Sequence, residues 1–235
     1  MRVYLGIILI LVICGSCVTT VLAGETLWKE LTIEVVKLVQ QGKYPGAVKA
    51  TKRALEVAEE TFGPDHPKVA VSLNNLATLY RMQGKYAEAE DLYKQALTIK
   101  EKELGPDHPK VATSLNNLAG LYRAQGKYTG AEPLYERALS IRARALSPDH
   151  PDLAQSLNNL GLLYKIQGRY AEAESLYKRA LTIWEEAYGP DDLNVATVLE
   201  NMAELYKKTG REDEAEKLGA RARKIRSNLK RSHPQ

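Results

Sequence analysis

The sequence predicts an all-α fold, a solenoid of about five antiparallel helix pairs. Three observations predict it. First, "SLNNLATLYRMQGKY" from Ser72 returns as "SLNNLAGLYRAQGKY" from Ser114 and "SLNNLGLLYKIQGRY" from Ser156, always 42 residues on. Second, the apolar residues of each copy recur at i, i+3, i+4 and i+7, one face of a helix. Third, the loops "GPDHP" at Gly63 and Gly105, "SPDHP" at Ser147 and "GPDDL" at Gly189 keep the same interval. A fixed period of this size marks stacked units that touch only their neighbours.

Residues 1–23 are different in kind. Arg2 is followed by "VYLGIILILVIC" and then by small and polar residues ending "VLA" at Ala23. A basic start, an apolar run and a small-x-small end describe a secretory signal peptide. Val21 and Ala23 precede the expected cut, and Gly24 opens the mature chain, which would be periplasmic or secreted. Two alternatives stand beside this. Val3 to Ala23 is uncharged and long enough for a membrane anchor, which needs about 20 residues. "ICGSC" also resembles a bacterial lipobox ending at Cys17, although Cys14 stands where an aliphatic residue belongs. Both cysteines of the chain lie here. A cleaved chain therefore has no disulfide, no thiolate nucleophile and no cysteine metal site.

The solenoid is expected over residues 24–229, in units of about 25–63, 64–105, 106–147, 148–189 and 190–229, with a basic tail at 230–235. In the second unit Leu73, Leu76, Ala77 and Tyr80 form the core stripe of the first helix. Ala89, Tyr93, Ala96 and Leu97 form that of the second. Gly84 and Gly105 suit the left-handed positions after helix ends. Proline cannot continue a helix but suits the first turn of one, so "GPDHP" stops one helix and starts the next. In the fourth unit-length segment's predecessor, "YTGAEPLYERAL" carries Gly130 and Pro133 where sister copies have acidic or hydroxyl residues. That helix is expected to start nearer Gly130 than Thr129, or to kink. The first and fifth units diverge: Glu34 and Thr51 replace apolar residues, and Gly219 replaces the tyrosine seen at 93, 135 and 177. Terminal units of a stack need a polar outer face.

The pattern Leu73-x2-Leu76-Ala77-x2-Tyr80, then Ala89-x3-Tyr93-x2-Ala96, resembles the tetratricopeptide repeat. It recurs at Leu115, Leu118, Ala119, Tyr122, Ala131, Tyr135 and Ala138, and at Leu157, Leu160, Gly161, Tyr164, Ala173, Tyr177 and Ala180. The 42-residue period and "GPDHPxVAxSLNNLAxLY" resemble the kinesin-light-chain-like subfamily, also common in bacteria. Leucine stands for the usual tryptophan and tyrosine for phenylalanine. No coiled-coil heptads precede the repeats, so attachment to a motor is not implied. The resemblance implies a right-handed solenoid that works as a protein-interaction scaffold.

The resemblance also implies that one stripe of the first helices lines a concave groove. That stripe carries Asn74 and Arg81, then Asn116 and Arg123, then Asn158 and Lys165. An amide offers donors and an acceptor to an extended peptide backbone. The cations favour acidic residues or a free C-terminus. The partner expected is a protein or peptide. The alternative reading makes the asparagines an internal polar ladder that fixes repeat register. Asn75, Asn117 and Asn159, turned about 100° away, are expected at the seam between repeats, bonded to neighbouring backbone.

His66, His108 and His150 recur with Asp65, Asp107 and Asp149. Equivalent loops of stacked helices lie about 8–10 Å apart, whereas metal ligands lie near 2 Å from one ion. The Asp-His-Pro runs read as capping and turn residues, so no metal is expected. No phosphate loop or catalytic set is present, so neither an enzyme nor a cofactor is expected. The net charge of +4 is concentrated after Ala220, which has six Lys or Arg and no acid. Leu218, Ala222, Ile225 and Leu229 keep helical spacing there, so a solvated capping helix is expected and nucleic acid is not. The alternative function is a membrane-tethered envelope assembly factor, using the N-terminal segment or the basic tail.

Overall fold

The computed structural model describes the backbone of residues 2–232 and the side chains of residues 20–231. The signal, anchor and lipobox readings of residues 1–23 fall mostly on side chains outside that range, as do residues 233–235 of the basic tail. The elements are α1 (Arg2–Gln40), α2 (Tyr44–Phe62), α3 (Pro67–Met82), α4 (Tyr86–Leu104), α5 (Pro109–Ala124), α6 (Tyr128–Ala145), α7 (Pro151–Ile166), α8 (Tyr170–Tyr188), α9 (Leu193–Lys208) and α10 (Glu212–Ser232). The fold class is the all-helical one expected, with helices packed in successive pairs. Residues 230–232, read as tail, continue α10.

The chain divides into two compact units, Met1–Pro106 and Asp107–Gln235. In the first, α1 packs on α2, α2 on α3, and α3 on α4. Its core joins Ala58, Val69, Ala70, Leu73, Ala96 and Ile99, with Trp28 and Phe62 against it. In the second, α5/α6, α7/α8 and α9/α10 are the pairs, and α6 meets α7 as α8 meets α9. Tyr135, Leu157, Tyr177, Trp184, Leu199 and Ile225 lie in one core there. The Tyr93, Tyr135 and Tyr177 rings are at most 1% exposed. Burial of a large apolar side chain contributes roughly 1.5–3 kcal/mol.

The repeated loops set the helix ends. At Gly63, Gly105 and Gly189 φ is 87°, 83° and 86°, a conformation without steric cost only for glycine. Ser147 stands at the equivalent place, so α6 stops one residue sooner and Leu146 turns extended, at φ −120°. The first helices α3, α5 and α7 are capped by histidine, not by the aspartate beside it. His66, His108 and His150 accept at Nδ1 from the backbone N–H of Lys68, Lys110 and Asp152, each at 3.1 Å. Only α9, which lacks the histidine, is capped by an aspartate, Asp192.

The expected late start of α6 is not found. It begins at Tyr128, in register with α4 at Tyr86 and α8 at Tyr170. The hairpin decides this. Lys127 O accepts from Gly130 and Ala131 N–H, as Lys85 O accepts from Ala89 and Arg169 O from Ala173. Pro133 lies one turn in with its ring exposed.

Candidate partner-binding face

First helices of successive pairs lie side by side, α5 beside α7 and α7 beside α9. Their shared face carries Asn116, Arg123, Asn158 and Lys165 of the asparagine and cation rows. The geometry of those rows differs from an open stripe.

In the second unit, Asn116 and Asn158 are each only 6% exposed. Asn116 Nδ2 donates to Ser156 Oγ at 2.9 Å, from α5 to α7. Asn158 Oδ1 accepts from Asn201 Nδ2 at 2.9 Å, from α9 to α7. Both asparagines therefore tie neighbouring repeats, which corrects their placement on an exposed stripe. The reason is proximity: first helices pack closely enough for short side chains to meet, and a buried amide must find a partner. Asn116 keeps one amide face free, since Oδ1 is buried without a hydrogen bond among the described residues. Asn74, in the first unit, is half-buried. One 42-residue step beyond Asn159, Asn201 lies between α9 and α7, bonded to the Asn158 side chain. Asn159 accepts from Gln155 within its own helix at 3.0 Å.

The cations also divide. Lys165 is 5% exposed and its Nζ lies 2.6 Å from Glu204 on α9. Arg81 and Arg123 are half-buried and have no ion-pair partner among the described residues. Arg123 Nε is buried without a hydrogen-bond partner, as is the hydroxyl of Tyr177. Burial, reinforced by the charge of Glu204, raises the Tyr177 phenol well above its ordinary pKa, while Arg123 opposes the shift.

Two sets of residues escaped the sequence reading. Arg142, 4% exposed, donates to Ser156 Oγ (3.0 Å), Asp152 O (2.6 Å) and Thr113 Oγ1 (3.1 Å), joining α5, α6 and α7. Burial lowers its pKa, against the pull of Asp152. A series of long side chains, Lys100, Arg142, Trp184 and Arg226, occupies this position at 42-residue steps and could have drawn attention to it. The second set follows the hairpin glycines. Arg169 and Arg211 lie face-on over Tyr164 and Tyr206, each 3.6 Å from the ring centre. Each also pairs with a carboxylate of the preceding second helix, Glu132 or Glu174, and one of its own, Glu172 or Glu214. Burial opposes ionisation of Glu174, but bonds from Lys178, Arg211 and Tyr206 outweigh it and hold the carboxyl down at about 2.

Antiparallel helix pairs repeated at 42 residues, with side chains joining the repeats of the second unit, define a helical-repeat protein. The chain belongs to the tetratricopeptide repeat family. That family matches residues 110–183 and 152–228, and the Nephrocystin-3 TPR domain matches residues 33–146. No curated protein matches the chain. Among solved structures it is similar to BtubC (BKLC) from P. vanneervenii, at TM-score 0.73 and 26% identity over 94% of this chain and 92% of that one. It is similar to a putative kinesin light chain with nearly identical TPR-like repeats from Podosopora anserina, at TM-score 0.67 and 26% identity over 86% and 96%. A Rap protein complexed with Competence and Sporulation Factor matches at TM-score 0.73 and 23% identity, over 86% of this chain and 54% of that one. This last likeness shows the fold alone.

Proposed function

We propose that the chain is a non-enzymatic scaffold that binds partner segments on its first helices, through Asn74 and Arg81 in the first unit and through Asn116, Arg123, Asn158 and Lys165 in the second. The observation that carries the reading is the state of the cations. Lys165 is neutralised by Glu204, whereas Arg81 and Arg123 are half-buried and unpaired among the described residues. A partly desolvated guanidinium without a counter-ion favours a carboxylate ligand, to which it can bond in bidentate fashion. The partner is therefore a polypeptide with acidic residues or a free C-terminus. Asn116 and Asn158 contribute by holding the face in shape. The test is titration of a library of acidic peptides against wild type and the double variant Arg81→Glu, Arg123→Glu. Wild-type binding should weaken with salt, and the variant should lose it. Equal affinity in both proteins would remove the cations from the site.

The exported location belongs to the same reading. Gly24 packs so closely on Thr61 that a Cβ would stand 2.2 Å from its Oγ1. Glu25 pairs with Lys68 at 2.9 Å, and Trp28 Nε1 donates to Ser72 Oγ at 2.9 Å. Side chains from the expected mature N-terminus onward thus pack within the first unit, and a cut after Ala23, which falls inside α1, would keep these contacts. N-terminal sequencing of protein exported by a native host checks this: it should read Gly24, and a start at Met1 or a lipidated Cys17 would refute it.

A further inference from the structure

The last helix pair lacks a part that the earlier pairs possess. At the position of Tyr93, Tyr135 and Tyr177, α10 has Gly219. A depression of about 380 Å³ lies there, between α9 and α10. Ala203, Ala215 and Gly219 line it, with Lys207, Arg223 and the carboxylates of Glu212, Asp213 and Glu216 around them. Ala203 occupies the place that Ala77, Ala119 and Gly161 hold beneath the sister rings. Gly161 shows how close that contact is, since a Cβ there would stand 2.9 Å from Tyr177 Cε1. The pair therefore keeps the small residue that admits a ring and has lost the ring itself.

A second observation concerns Arg223. It replaces Leu97, Leu139 and Leu181 of the earlier pairs. Its Nη1 lies 3.3 Å from where a Cβ on residue 219 would stand. Arg223 is exposed and forms no ion pair among the described residues. Elsewhere the chain uses arginines as lids on tyrosine rings, Arg169 on Tyr164 and Arg211 on Tyr206. A cation over a ring face is attracted by the ring quadrupole.

We propose that this depression is a binding site for an aromatic side chain, tyrosine above all, presented by a partner polypeptide. The ring would take the position of the missing tyrosine against Ala203, under the guanidinium of Arg223. Charges of both signs, Lys207 against Glu212, Asp213 and Glu216, can serve the carbonyl and N–H groups of the partner's backbone, and they disfavour a purely apolar ligand. The site deepens the scaffold reading, on which it rests; Lys207 stands one 42-residue step beyond Lys165, but none of the six residues of the proposed groove takes part.

The test uses N-acetyl-tyrosinamide as probe, followed by NMR of the alanine methyls. Saturable shifts at Ala203 and Ala215 are expected in wild type. Gly219→Tyr, which supplies the ring from within, should abolish them. Arg223→Ala should weaken binding about 2- to 5-fold, the equivalent of 0.5–1 kcal/mol for an exposed cation over a ring. N-acetyl-leucinamide should not compete. Ala203→Leu, which blocks the floor from α9, provides the same reading should Gly219→Tyr fold poorly. Unchanged shifts in the blocked variants, or equal binding of the leucine analogue, would overturn the proposal. Arg81→Glu should leave probe binding intact, so a failed groove and a failed aromatic site are told apart.

Discussion

Asparagine weakens a helix because its amide competes for backbone hydrogen bonds, and here the amides bond to the next repeat. Asn116→Ala and Asn158→Ala each remove a bond between first helices of neighbouring repeats, buried at Asn116 and part-buried at Asn158. Each should lower stability by roughly 1–3 kcal/mol, measured by chemical unfolding. A cost within about 0.5 kcal/mol, as for a simple surface change, would return both residues to an open stripe. Histidine capping gives a second prediction at this scale. His66 serves as acceptor only while Nδ1 is unprotonated. Burial, and then the charge of Lys68, hold its pKa below the ordinary value. The stabilising cap is thus present above the unfolded imidazole pKa of about 6.5 and is lost as pH falls through the lower folded value. Wild type should lose stability below about pH 6.5 relative to His66→Asn, whose amide can cap at any pH. Parallel unfolding curves for the two proteins down to pH 5 would show that the cap carries no such linkage.

The element most at odds with its own sequence is α6. The hairpin at Lys127 fixes its start, and Pro133 is left to interrupt a helix already under way. The missing N–H forfeits one bond to the Thr129 carbonyl, a cost of about 3 kcal/mol or more in a helix interior. Proline also restricts the unfolded chain, which offsets about 0.4–1 kcal/mol. Its exposed ring limits the clash with neighbours. Pro133→Ser should therefore stabilise the protein by about 1 kcal/mol or more, read as a rise in Tm. No rise would mean that local geometry absorbs the proline without loss.

At the scale of the whole molecule, carboxylates recur at the seams of the second unit. Glu132 is held below its ordinary pKa first by Gln167 and then by Arg169, against burial. Glu200 is lowered by Arg226, against burial. Glu174 is held at about 2. Depressed carboxylates stabilise the fold above their unfolded pKa, about 4.3, and the contribution is lost as pH falls through the folded values. Unfolding should therefore become easier below about pH 4.3, with the loss continuing towards pH 2 through Glu174. Arg211→Ala should move the Glu174 titration upward, followed by NMR of its side-chain carboxyl. A Glu174 pKa unchanged in that variant would sink the account of the clamp.

The sequence by itself determined the helix pairs, their 42-residue period, the turns and the tyrosine-alanine core. These follow from local rules: helical spacing of apolar residues, glycine where φ is positive, and proline in a first turn. Only the tertiary structure decided what the polar residues do. Asn116 looks identical to Asn74 in its sequence context, yet its burial depends on how near α7 lies, a distance that no local pattern encodes. Arg142 reads as a surface cation in "SIRARAL" until α5 and α7 close around it. The same holds for the space beside Gly219. A glycine in a helix signals only weak propensity, and an unfilled place becomes visible once Ala203 is packed opposite. Periodicity reports which face of a helix is buried; the partners that a buried polar group or a missing ring meets depend on the neighbouring repeat.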